Sequence, residues 1–389
     1  MAGPVRQHID IANFERYLRD AIPEISTPIT LKQFGFGQSC PTYQIIANDG
    51  QKFVLRKKPP GDIVSKTAHR VDREFTVLSA LQSTDVPVPK VYTYCDYVGV
   101  IGTPFYASKL FTKVMEFLDG RIFEDPSIPG VSPRERNEIW HQAVLTLAKL
   151  HRIDPATVGL ENYGSKSNYF LRQVQAFAAI QQAQAAVVDC DTQTAIGPIE
   201  GFEKVLAYLE NPSAQPAHRR CLVHGDFKID NLIFHPTENR VIGILDWEMS
   251  TIGHPLSDLS NLLMPFTWQL AQSQNSVVLR TLSPGALQGL PTSAQVVEQY
   301  RQQASYDPGS SLTYGNAFVL MKNCVILHGI KARVARKQAS SALATQYAMH
   351  LARIVQLAVQ VADEGKELLA VNAGDARDFS DVSDARAKL

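Results

Sequence analysis

The chain has 389 residues, of which 38 are Lys or Arg and 38 are Asp or Glu, and 45% are hydrophobic. That length allows two lobes and an extended core, while zero net charge leaves no electrostatic footprint for nucleic acid. The five cysteines are odd in number and include no Cys-x-x-Cys pair, so neither zinc nor a disulfide framework is expected; no apolar run reaches membrane-spanning length, and no secretory leader is expected.

Leu31 to Ser39 reads Leu-Lys-Gln-Phe-Gly-Phe-Gly-Gln-Ser and precedes Thr42-Tyr-Gln-Ile-Ile. Gly35 and Gly37 would let a turn bring backbone amides, with Gln38 and Ser39, close to phosphate oxygens. An ordinary hairpin accounts for the same residues. After a turn at Asn48-Asp49-Gly50, Lys52 to Lys58 reads as a strand, on which alternation puts Arg56 and Lys57 on opposite faces. Thr67 to Leu81 is a predicted helix with Val71, Phe75, Val77, Leu78 and Leu81 on its buried side; Glu74 lies among them, with Arg70 as its i,i+4 neighbour. Two further segments, Val86 to Tyr92 and Ile101 to Tyr106, which resemble strands of the family named below, lead to Val114-Met-Glu-Phe-Leu-Asp-Gly120. Ser132-Pro-Arg-Glu135 is a capping box with Pro at N1, and Trp140, Val144, Leu147 and Leu150 recur behind it at helical spacing.

The most informative stretch is Leu222 to Asn231, Leu-Val-His-Gly-Asp-Phe-Lys-Ile-Asp-Asn, followed fifteen residues past Asn231 by Asp246 within Leu-Asp-Trp-Glu. Apolar runs at Cys221 to Val223, Leu232 to Phe234 and Val241 to Leu245, with a turn cluster at His235 to Asn239, predict a strand, a loop and a hairpin. Antiparallel pairing then puts Asn231 and Asp246 at one end of the hairpin, beside Asp226. Phosphoryl transfer needs an acceptor for the attacking hydroxyl's proton and metal ions held by hard oxygen ligands; Asp226 fits the first role, Asn231 and Asp246 the second. A plain turn and a strand-end carboxylate are the alternative for either motif alone. Beyond it, Thr313 to His328 reads as a buried helix, followed by a basic, alanine-rich one from Lys331 to about Gln360, and residues 375–389 as a flexible polar tail.

These motifs resemble the aminoglycoside phosphotransferase family, relatives of the protein kinases that share the His-[Gly/Arg]-Asp-x-x-x-x-Asn loop. The resemblance implies an α+β, protein-kinase-like bilobal fold, with a small antiparallel N-terminal lobe over residues 1–118 and a larger, mainly helical lobe over 119–374. It implies ATP and magnesium, with Asp226 as base and Asn231 and Asp246 as metal ligands. By position Lys228 matches the catalytic-loop Lys of protein kinases. Arg56 stands where the phosphate-pairing Lys is expected, a chemically workable exchange given its bidentate fork, and Glu74 matches the helix Glu that pairs with it. Glu116 and Leu118 would offer backbone groups to adenine. Asp258, in Gly253-His-Pro-Leu-Ser-Asp-Leu259, matches an Asp that braces the loop, and His151 and Asp154 match a helix-ending His-x-x-Asp. Residues 107–113 are extra relative to the family pattern and are expected to bulge or loop out.

The motif set is most similar to the kinase-like domain found fused to acyl-CoA dehydrogenases, over about residues 10 to 360. Its relation to enzymes that phosphorylate hydroxyacyl-CoA implies a small hydroxyl acceptor, a hydroxy acid or hydroxyacyl-CoA by analogy. The final Ala387-Lys388-Leu389 resembles a peroxisomal address, which implies an import receptor as partner and a peroxisomal location, the cytoplasm being the alternative. Arg56 and the extra segment also motivate a catalytically silent, kinase-like binding or scaffold protein. A protein kinase fits less well, since neither Asp-Phe-Gly nor Ala-Pro-Glu follows Asp246.

Overall fold

A computed structural model describes residues 2–6, 9–34, 40–58, 70–109, 120–270, 282–283, 285–338 and 344–370. The chain divides into two compact units: one comprises Met1–Phe123, Pro155–Glu161 and Asp230–Ser250, the other Glu124–Asp154, Asn162–Ile229 and Thr251–Leu389. The phosphate-loop candidates Gly35, Gly37, Gln38 and Ser39, the adenine candidates Glu116 and Leu118, and the terminal tripeptide lie outside the described residues.

The first unit is built on an antiparallel sheet. Its strands β1 (Ala2–Gly3), β2 (Thr30–Phe34), β3 (Thr42–Ile46), β4 (Lys52–Lys57), β5 (Val91–Cys95) and β6 (Phe105–Lys109) lie in the order β1-β2-β3-β4-β6-β5. Period-two alternation sorts β4 into two faces. Phe53 and Leu55 are fully buried in one apolar cluster with Tyr43, Phe105 and the helix α1 (Ile11–Ala21), whose Phe14 meets Phe105 edge-on at 5.5 Å. Lys57 shares that face, buried, with its ammonium 5.8 Å from the Tyr43 ring. Arg56 takes the opposite face. The helix there, α2 (Val71–Leu81), packs on β5 and β6 and buries Val77, Leu78 and Leu81.

The extra residues 107–113 do not leave the sheet where expected. Ala107, Ser108 and Lys109 continue β6, opposite Leu55, Val54 and Phe53. The free backbone groups of β4 need partners along this length, and a longer β6 supplies them. The register irregularity falls instead on β5, between Val91 and Thr93; residues 110–113 are outside the described chain. A separate hairpin in this unit pairs β8 (Leu232–Phe234) with β9 (Val241–Ile244).

The second unit is mainly helical. The two-stranded ribbon of β7 (Cys221–Val223) and β10 (Thr251–Gly253) leads to α6 (Pro255–Leu262) and α7 (Met264–Leu270). Its other helices are α3 (Pro133–Arg152), α4 (Tyr169–Ala185), α5 (Phe202–Glu210), α8 (Ser293–Gln303), α9 (Leu312–Ala335), α10 (Ala344–Met349) and α11 (Leu351–Ala370). At the start of α3, Ser132 Oγ accepts the Glu135 amide at 3.2 Å with Pro133 at N1, and Trp140 is fully buried, its indole N–H donated to the Pro126 carbonyl at 3.1 Å.

The helix expected to end at His328 continues as α9 to Ala335, and the expected helix from Lys331 is instead α10 and α11. The reason is packing at Gly329. A Cβ there would approach Gln184 Nε2 to 2.7 Å, so glycine marks a close approach of α4 rather than a break. α9 is wrapped by α4, α5, α6 and α11, which explains why nearly every residue from Tyr314 to Val325 is buried. Phe318 lies in an aromatic cluster, 4.9 Å from Phe170 and 6.1 Å from Tyr169. Phe318→Ala is therefore expected to destabilise the helical unit by about 3–5 kcal/mol through cavity formation, measurable by urea denaturation.

Candidate active site

In the first unit the predicted strand cation and helix carboxylate meet. Arg56 Nε lies 3.0 Å from Glu74 Oε2, Nη1 lies 3.1 Å from Asp246 Oδ1, and Nη2 lies 3.8 Å from Glu248 Oε2. Arg70 is not the partner of Glu74; it forks onto Asp72 instead, with Nε 2.8 Å from Oδ1. Burial pushes the Glu74 carboxyl up to about 7 against the pull of Arg56, and the negative charges of Asp246 and Glu248 add to the rise. One cation thus faces three carboxylates. Glu248 was not singled out from the sequence, although its place two residues after Asp246 was a readable signal.

The hairpin orders the other two residues of this unit. Leu245 N–H donates to the Asn231 carbonyl at 2.8 Å, continuing the Leu232–Ile244 register and bringing Asn231 and Asp246 to the same end. Asp246 itself has φ 60°, a left-handed conformation that Asp tolerates better than most side chains but that still costs about 1–3 kcal/mol. The turn behind it is anchored: Trp247 is buried and donates its indole N–H to the Ile244 carbonyl at 2.9 Å, while Arg73 of α2 reaches the Ser250 carbonyl at 3.5 Å.

In the second unit β7 runs directly into His224-Gly225-Asp226. Asp258, fully buried in the first turn of α6, accepts the His224 amide at 2.7 Å on one oxygen and the Gly225 amide at 2.8 Å on the other. Burial alone would raise its pKa, but the His151 contact at 3.4 Å and the His224 amide hold it below the usual carboxylate range. His151 in turn meets Tyr300 OH through Nδ1 at 2.6 Å, so its role is to brace Asp258. His254 caps α6, accepting the Leu256 amide through Nδ1 at 3.2 Å; burial pushes its pKa down to about 4, which keeps the accepting nitrogen free of a proton at neutral pH.

The Asp226 carboxylate has neighbours from three directions. Lys228 Nζ lies 3.6 Å from Oδ2, Lys322 Nζ lies 3.6 Å from Oδ1, and Asn261 Nδ2 is 3.4 Å from Oδ1. Asn261 and Lys322 were not identified from the sequence. Lys322 carried one usable signal, a lone cation within the apolar run Ala317 to Leu327.

The phosphotransferase enzyme family model matches residues 30–291. The chain belongs to this family. It is similar to acyl-CoA dehydrogenase family member 11 of Rattus norvegicus, 40% identical over 307 residues, covering 78% of this chain and 37% of that protein, so the chain spans little more than a third of that relative. A crystal structure of a Ralstonia eutropha protein, provisionally assigned as an aminoglycoside phosphotransferase, is 31% identical with TM-score 0.75, covering 92% of this chain and 99% of the other. The streptomycin–ATP–APH(2")-IIa ternary complex shares the fold, with TM-score 0.53 and 19% identity over 88% of this chain and 99% of that one. The kinase-like α+β fold follows from this membership.

Arg56→Met would leave Glu74 buried without its cation, an expected loss of about 3–5 kcal/mol at pH 8. A folded-state pKa raised further means that stability is present at low pH and lost as pH rises, so the deficit should shrink toward pH 5, where Glu74 takes up a proton. Adding Glu74→Gln should recover most of it. Urea denaturation of the three proteins at both pH values checks this.

Proposed function

We propose that the protein transfers the γ-phosphoryl group of ATP to a hydroxyl of a small acceptor, with Asp226 accepting the hydroxyl's proton. The observation that carries this reading is the fixed loop: two consecutive amides tied to Asp258 set the backbone immediately before Asp226. The acceptor oxygen forms its bond to the γ-phosphorus as the bond to the ADP oxygen breaks, and the proton passes to the Asp226 carboxylate. Lys228, beside the second carboxylate oxygen and partly exposed, would meet the transferred phosphate.

Asn231 and Asp246 would hold magnesium, since an amide and a carboxylate oxygen form the hard donor set that this ion takes alongside water and phosphate oxygens. Bound there, the ion would neutralise charge on the nucleotide. Arg56 and Glu74 would support the nucleotide side, and the glycine segment at 35–39 and the link at 116–118 would complete it.

For the acceptor we favour a hydroxy acid or hydroxyacyl-CoA over a polyamine. Helices α4, α6, α7 and α9 carry one carboxylate, Asp258, already engaged by backbone amides, against the cations Arg172, Lys322, Lys331 and Arg333. Such a charge balance does not suit a ligand with several ammonium groups. The dehydrogenase name of the rat relative also supports an acyl compound.

Asp226→Asn is expected to bind an ATP analogue normally while turnover falls about 10²–10⁴-fold, the range of general-base contributions. A mass-spectrometric screen with ATP, magnesium, hydroxy acids, hydroxyacyl-CoAs and aminoglycosides supplies the assay, and unchanged turnover would place the base elsewhere. Calorimetry with the analogue should show affinity that rises with magnesium in the wild type and loses that dependence in Asp246→Ala. Metal-independent affinity in the wild type would favour a silent binding protein.

A further inference from the structure

Lys322 is a charged side chain in the interior of an apolar helix, 5% exposed. An ammonium taken out of water is costly unless its donors are met and its charge is balanced. Lys322 meets both conditions at one place. Its Nζ donates to the Gly225 carbonyl at 2.7 Å and to Asn261 Oδ1 at 3.2 Å, and the Asp226 carboxylate lies 3.6 Å away.

These contacts have a directional consequence. The Gly225 carbonyl belongs to the peptide that joins Gly225 to Asp226, and the Asp226 N–H of that same peptide donates to His224 Nδ1 at 3.2 Å. Both ends of the peptide plane are therefore held, the carbonyl end by Lys322. The second consequence runs through Asn261. An ammonium only donates, so the Asn261 atom facing it must be the amide oxygen, and the amide nitrogen is thereby turned to the Phe227 carbonyl at 3.1 Å and Asp226 Oδ1 at 3.4 Å. The three contacts agree, since the Phe227 carbonyl and the Asp226 carboxylate each require the amide nitrogen on their side and Lys322 the oxygen on its own.

We propose that Lys322 is a positioning residue for the phosphoryl transfer: a buried counter-ion that fixes the Gly225–Asp226 peptide, anchors the Asn261 amide oxygen and thereby aims the Asp226 carboxylate at the acceptor hydroxyl. It differs from Lys228, whose side chain is 39% exposed. Lys322 is sealed into α9 and touches no substrate; it acts through Asp226. The inference rests on Asp226 being the base.

The test uses the full chain with ATP and magnesium, reading ADP formation. Lys322→Met, of similar length and uncharged, is expected to lower kcat about 10–100-fold, the scale of a displaced reacting group, while leaving the KM for ATP unchanged. Lys322→Gln serves should the Met variant not fold, since it retains a donor without the charge. In an Asp226→Asn background either substitution should cost nothing further. Unchanged kcat, a parallel rise in the KM for ATP, or additive losses in the double variant would each overturn the proposal. A wild-type protein that forms no ADP overturns the phosphotransfer reading instead. In that event a crystal structure of Lys322→Met decides the positioning claim: a displaced Gly225–Asp226 peptide or a rotated Asp226 supports it, and an unchanged loop overturns it.

Discussion

The helical unit is organised around a single buried carboxylate. Asp258 accepts two consecutive backbone amides, and directly past the second the chain turns at Gly225, whose φ of 87° would strain a side chain. Four elements meet at this group. β7 delivers the amides, α6 carries the acid, α3 ends on His151 against it, and α8 supplies Tyr300 behind the imidazole. An amide side chain in place of the acid would turn a donor toward a donor, so charge and geometry are both required of this residue.

The first unit follows a different electrostatic logic. A buried ion pair usually balances, because the cost of desolvation is recovered only by close and complete pairing. Here Arg56 meets a buried Glu74 and two more exposed acids, Asp246 and Glu248, so negative charge is left over on the solvent-facing side. Surplus carboxylate beside a fixed guanidinium suits a ligand that brings both signs of charge, as a metal-bound polyphosphate does. Burial raises the pKa of Glu74, the one member of the set without access to water, and the same surplus adds to the rise.

Much of this was legible in the sequence because the chemistry requires residues at fixed separations. The apolar runs and turn cluster around Asp226, Asn231 and Asp246 revealed the loop and hairpin, and the resemblance to the kinase-like pattern paired Arg56 with Glu74. What escaped was tertiary. Lys322 lies ninety-six residues beyond Asp226, and no local period marks a lysine that serves another segment's backbone. Gly329 carries no local mark of a packing residue, since the approach of Gln184 belongs to a different helix. The length of β6 was missed for the same reason: β4 provides the unpaired groups that hold it in the sheet.

The division of the chain also bears on how the molecule is made. The polypeptide passes between the two units five times, and the β8–β9 hairpin that completes the first unit is contributed by Asp230–Ser250, more than a hundred residues after Phe123. During synthesis the N-terminal sheet therefore emerges long before Asp246 and Glu248 exist, and Arg56 must wait with Glu74 as its partner. Domains that fold as units from the N-terminus are the usual order on the ribosome. In this chain that order is unavailable to the first unit, whose completion is tied to translation of the second, and a fragment ending near residue 120 would lack two of the three acids around its buried arginine.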